Sequence, residues 1–211
     1  INMKVIKYPK REDWEDLLKR PVIDTLALEK SVADILLNVK RDGDAAVKSY
    51  TQKFDGFVRD QLLVSEAEIS EAINLVTTEL KEAILVAKTN IEKFHAAQKE
   101  EVKVIETIAG VKCWRKSVGI EKVGFYIPGG TAPLFSTILM LGVPALIAGC
   151  KEVVLCTPSD KNGKTNPAIL YTANLVGIKK IFAIGGAQAI AAMAYGTDTV
   201  PKVYKIFGPG N

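Results

Sequence analysis

The chain has 211 residues, a net charge of +4, 48% apolar residues and 25% charged residues, which allows one large or two small cores and excludes a mainly disordered chain. Basic residues alternate with acids, as at Lys81/Glu82 and Lys99/Glu100/Glu101, and form no stripe interleaved with aromatics, so no nucleic-acid partner is expected. No run approaches eighteen uncharged apolar residues and no early apolar block resembles a signal peptide, while Cys113, Cys150 and Cys156 form no CxxC pair, so the expectation is no membrane partner and a reducing, cytoplasmic setting.

Met3 reads as the native start, with Ile1 and Asn2 outside it. Residues 12–101 read as successive helices. Leu26, Leu28, Val32, Ile35, Leu36 and Val39 make an amphipathic stripe that stops at Lys40, Arg41 and Gly43. A second helix over 45–54 stops at Asp55-Gly56. Ser65-Glu-Ala-Glu68 has the form of a capping box, and Thr77-Thr78 breaks or re-caps the helix that follows. Beyond it Leu80, Ile84, Ala87, Ile91 and Phe94 fall on one face. His95, the only histidine, reads as a packed or solvated helical residue. Residues 102–118 alternate around Ala109-Gly110 as a β-hairpin does.

From Glu121 onward, short runs rich in β-branched and aromatic residues (123–127, 153–156, 181–184, 203–207) alternate with helical stretches (134–149, restarting at Pro144; 168–176; 187–195). Three strand–helix–strand units predict a parallel sheet with right-handed crossovers. A domain boundary is expected near 118–122. In such a sheet ligands bind beyond the carboxyl ends of the strands. There the sequence has Tyr126-Ile-Pro-Gly-Gly130, Thr157-Pro158, Gly185-Gly-Ala-Gln188 and Gly208-Pro-Gly-Asn211. Three of the four turns carry glycines that let a ligand approach the backbone, and a following helix N-terminus favours an anion. Neither IPGGTAP nor IGGAQAI matches GxGxxG, and no acid stands about twenty residues past the first turn. The residues by themselves specify a nucleotide- or anion-binding edge.

The strings GFYIPGGTAPLFSTILMLGVPALIAGCKEVVLCTPSD, FAIGGAQAIAAMAYGTDTVPKVYKIFGPGN and, upstream, NIEKFHAAQK resemble the histidinol dehydrogenase family. The resemblance extends over the chain from about residue 12. It implies a homodimeric enzyme dependent on NAD and zinc that oxidises L-histidinol through the aldehyde to L-histidine, the last steps of histidine biosynthesis. The family's NAD contacts carry over onto Tyr126, Gln188 and Asn211. Its Glu-His acid/base pair, zinc ligands and substrate contacts are expected past the GPGN turn, and one histidine could not supply them. The chain is therefore read as the amino-terminal portion of such an enzyme, truncated or cleaved and inactive alone, with no catalytic or metal-binding residue in it. The expected fold class is α/β. A helical region with a hairpin (3–120) would belong to a domain completed elsewhere, and a Rossmann-like NAD-binding domain (121–211), atypical in lacking GxGxxG, would be incomplete at its C-terminus. Two alternatives stay open: another NAD(P)-dependent aldehyde dehydrogenase with Cys150 or Cys156 as nucleophile, and a non-catalytic nucleotide-binding module.

Overall fold

A computed structural model of the chain describes residues 4–20, 25–57, 59–129 and 133–209. A short 3-10 turn (Arg11–Asp13) leads into α1 (Trp14–Leu18), followed by α2 (Leu26–Asp42), α3 (Asp44–Asp55), α4 (Glu66–Leu75) and α5 (Thr78–Ala96). The sequence marks each boundary. Gly43 ends α2 and starts α3, and its N–H donates to the Val39 carbonyl. Gly56 closes α3 in the left-handed region at φ 73°. The capping box forms at α4: the Ser65 hydroxyl accepts from the Glu68 N–H, and the Glu68 carboxylate accepts from the Ser65 N–H at 2.9 Å. Thr77 caps α5.

The hairpin pairs β1 (Val104–Ile108) with β2 (Val111–Trp114). The rest alternates strand and helix: β3 (Lys122–Tyr126), α6 (Phe135–Ala148), β4 (Glu152–Thr157), α7 (Pro167–Leu175), β5 (Lys180–Ala183), α8 (Gly186–Tyr195) and β6 (Lys205–Phe207). The four strands lie parallel in the order β5-β4-β3-β6. Alternate residues serve opposite faces. Phe125, Leu155 and Ile181 join α4–α7 in one core, while Val154, Cys156 and Phe182 join α2, α3 and α8 in the other. Both faces are covered, which is why the strands read as nearly unbroken apolar runs.

Several expectations change. α6 passes through Pro144 without restarting. Proline removes one backbone bond, a cost of about 3 kcal/mol, yet Ile138, Leu139, Gly142, Val143 and Ala145 are buried around it and keep the helix in one piece. Gly142 permits this packing, because a Cβ there would meet Val176 Cγ2 at 2.8 Å. Only the second half of the α2 stripe is covered: Ile35 and Val39 are buried, while Leu28 is exposed. Phe94 is 65% exposed. α5 has 19 residues and α6 only 14, about 28 Å against 21 Å at 1.5 Å per residue, so α6 by itself is too short to cover all of α5. Helices that precede residue 118 share both apolar clusters with the sheet. The sequence does not announce that residues 62–64 cover the β5 edge: Val64 N–H donates to Ile181 O at 2.8 Å and Ala183 N–H to Leu62 O at 2.8 Å.

Candidate functional site

The turns beyond the carboxyl ends of the strands touch one another and form one rim. Pro158, after β4, sits between its neighbours: a Cβ on Gly129 would lie 2.7 Å from Pro158 Cγ, and one on Gly185 2.8 Å from Pro158 Cβ. On the other side, a Cβ on Gly208 would come within 2.5 Å of the Tyr126 carbonyl oxygen. Glycine at these three positions is what lets the turns after β3, β4, β5 and β6 close up.

Tyr126 is the last residue of β3, and its side chain packs on the α8 face. Its hydroxyl accepts from the Gly186 N–H at 3.0 Å, bridging sixty residues from β3 to the first turn of α8. The N-cap of α8 is Gly185, which has no side chain to cap the helix itself. The first turn of a ten-residue helix therefore faces the rim with a favourable dipole for an anion. Gln188, two residues into α8, is 0% exposed, and neither Oε1 nor Nε2 has a hydrogen-bond partner among the described residues. Its oxygen lies 2.6 Å from where a Cβ on Gly186 would stand, and Gly186 has φ +66°, so both backbone and space demand glycine there. A buried primary amide with four open hydrogen-bonding positions is the feature a polar ligand would complete. Tyr126 and Gln188 thus meet at one corner. Asn211 lies outside the described residues.

Asp55 joins this corner, a placement the sequence did not suggest. Asp55-Gly56 reads as a helix stop, yet Asp55 Oδ2 lies 3.5 Å from the Cβ position of Gly185 and is buried without a partner. Burial pushes its carboxyl above the ordinary aspartate value. The Ser159 and Thr165 hydroxyls beyond β4 are likewise buried and unpartnered. Their only sequence signal was position after a parallel strand.

The thiol alternative finds no support in the geometry. Cys156 is 0% exposed and burial drives its thiol far above the ordinary range, so it stays protonated. Cys150 closes the α6 end and packs against the α4–α7 core. His95 contacts Gln98 Oε1 through Nδ1 at 3.2 Å and the Phe94 ring. Among the described residues no three His, Cys, Asp or Glu side chains cluster as a metal site would require, so the zinc the resemblance implies has no matching donor set there.

The family model of histidinol dehydrogenase matches residues 18–211. The chain belongs to the histidinol dehydrogenase family. It is 60% identical over 209 residues to the histidinol dehydrogenase of Bacteroides thetaiotaomicron, covering 99% of this chain and 49% of that one. With the Escherichia coli histidinol dehydrogenase it shares 51% identity over 201 residues, 95% of this chain and 45% of the other. The crystal structure of the Elizabethkingia anophelis histidinol dehydrogenase superposes with a TM-score of 0.90 at 54% identity, over 96% of this chain and 47% of that one. The chain spans about half the length of the curated relatives it matches.

Proposed function

We propose that the rim is the NAD seat of a histidinol dehydrogenase, and that the chain serves the NAD-dependent oxidation of L-histidinol to L-histidine. The observation that carries the reading is the corner where Tyr126 holds the start of α8 beside the buried, unpartnered Gln188 amide. When bound, NAD supplies hydride acceptance, twice for each histidinol converted through the aldehyde to the carboxylate. The chain's part is binding and orientation. The open N–H groups of α8 receive the pyrophosphate and Gln188 pairs its amide with a polar group of the dinucleotide; Asn211 is carried over as a third contact from the family resemblance. Tyr126 keeps the α8 turn in register through its hydroxyl and offers its ring to the cofactor.

Family resemblance also supports the remaining parts: zinc and the acid/base pair supplied elsewhere in the enzyme, a homodimer, and a cytoplasmic setting compatible with three free cysteines. No helix among the described residues is long and apolar enough to cross a membrane. The test is steady-state kinetics of the active enzyme carrying Gln188→Ala or Asn211→Ala. The KM for NAD should rise by about tenfold, the loss expected for one or two hydrogen bonds, while that for histidinol changes little. Equal effects on both substrates would refute the assignment.

A further inference from the structure

Arg59 follows the end of α3 and stands against the turn after β4, where its side chain bonds in three directions. Nη2 donates to Glu68 Oε1 at 2.5 Å, Nη1 to the Gly163 carbonyl at 3.1 Å and Nε to the Gln61 carbonyl at 3.2 Å. The side chain is only 15% exposed, although it carries a full charge. Such burial is tolerated when the charge is paired and its donors are used, and here all three guanidinium nitrogens donate. Phe57 packs at the same place: a Cβ on Gly163 would collide with its ring. The turn itself is closed from within, with Asp160 Oδ1 accepting from the Asn162 and Lys164 N–H groups at 2.8 Å each. Among the described residues, the Arg59–Gly163 bond is the only hydrogen bond that ties residues 159–165 to another element.

That tie bears on the rim because the segment it holds begins at Pro158. The proline ring leaves no room for a Cβ on Gly129 or on Gly185, so a shift of residues 159–165 moves the wedge that joins the turns after β3 and β5. Asp55, the last residue of α3, stands against the same Gly185 from the other side. Arg59 therefore lies between two approaches to the start of α8. It ties both to Glu68 in the first turn of α4, where the capping box fixes that carboxylate. A lysine could not do this. Its ammonium is a point charge on a flexible stem, whereas the guanidinium is a rigid fork that holds a carboxylate and two carbonyls at once. Binding groups must stay within about 0.5 Å of their productive geometry, so the residue that sets the position of the wedge also sets affinity.

We propose that Arg59 is a positioning residue for cofactor binding, holding the segment after β4 so that Pro158 keeps the rim turns together; this rests on the reading of the rim as an NAD seat. The test is steady-state kinetics of the active enzyme carrying Arg59→Met, Arg59→Lys, Ser65→Ala or Gln188→Ala, with urea melts of each. Ser65→Ala weakens the start of α4 and leaves the Arg59–Gly163 bond in place, so it reports the effect of stability alone. Arg59→Met and Arg59→Lys should each raise the KM for NAD about fivefold, with kcat and the KM for histidinol within about twofold of wild type. Lysine should recover stability through its ion pair with Glu68 without recovering the KM, a separation that a purely structural role would not produce. If Ser65→Ala raises the KM for NAD as far as the Arg59 variants do, the positioning role falls. It also falls, and the rim reading stands, if the Arg59 variants keep the wild-type KM while Gln188→Ala raises it. An Arg59→Lys enzyme with a fully restored KM would show that charge and not the fork matters, which overturns the proposal. A Gln188→Ala enzyme with an unaltered KM for NAD would overturn the rim reading itself.

Discussion

Gln188→Met should make the ligand-free chain more stable while removing its response to NAD. The side chain is 0% exposed, and both polar atoms of its amide lack partners. Leaving a buried donor or acceptor unpaired costs about 1–3 kcal/mol. Methionine nearly matches glutamine in volume, and such swaps in packed sites cost less than about 1.5 kcal/mol. The net expectation is a gain of about 1–2 kcal/mol, or about 3–6 °C in Tm for a chain of this size. NAD at a hundredfold excess over its Kd should add about 2.7 kcal/mol to the wild type. In the variant most of that increment should disappear. Urea and thermal melts with and without NAD measure both effects on the same samples. A variant less stable than wild type would show that the amide is satisfied in solution; one that kept the full NAD increment would show that the amide is not a ligand contact. Either result refutes the reasoning.

Gly208→Ala places a Cβ 2.5 Å from the Tyr126 carbonyl oxygen, so the β3 and β6 turns must part; NAD affinity should fall at least tenfold, read by titration, with a stability loss of about 1–3 kcal/mol. Asp55→Asn should stabilise the ligand-free chain at neutral pH. The folded-state Asp55 carboxyl is raised, so its favourable protonated contribution is complete below the ordinary aspartate value near 3.9 and is lost as pH rises through the folded value; urea melts across pH should show the variant's advantage fading in acid, and an advantage that grows in acid would contradict this. Glu68 behaves oppositely. Burial alone would raise it, but hydrogen bonds from the Ser65 N–H, Arg59 and the Ser65 hydroxyl hold it below the ordinary value, so Glu68→Gln should cost its full stability above about pH 4.5, and the deficit should fade as pH falls from there through the depressed folded value. Cys156 should resist alkylation until the chain unfolds, as a time course with and without denaturant would show.

Local chemistry was legible wherever one residue decides one turn. Ser65 and Glu68 announce the start of α4, Gly43 and Gly56 the ends of α2 and α3, and alternation around Ala109-Gly110 the hairpin. Pro144 misled, because a local rule about backbone bonding was outweighed by packing from both sides. Phe94 misled for the complementary reason: helical periodicity says which face could be buried, not how far the neighbouring helix extends. Of the candidate site, the glycine turns were visible as strings and their family resemblance named Tyr126 and Gln188. That Asp55, at the end of α3, would stand against Gly185 was not visible, since contacts across 130 residues leave no period or motif.

The order of amino acids by itself determined the α/β alternation, the parallel sheet and membership in the histidinol dehydrogenase family, because periodicity, turn chemistry and motif spelling are carried by neighbouring residues. Tertiary structure alone decided that helices 26–96 would clothe both faces of the sheet. It also decided that Pro158 would join three turns into one rim, and that a fully buried glutamine would be left without a partner. Those outcomes depend on distances between segments far apart in the chain. They are set when hydrophobic surfaces are buried together, after local preferences have chosen the elements.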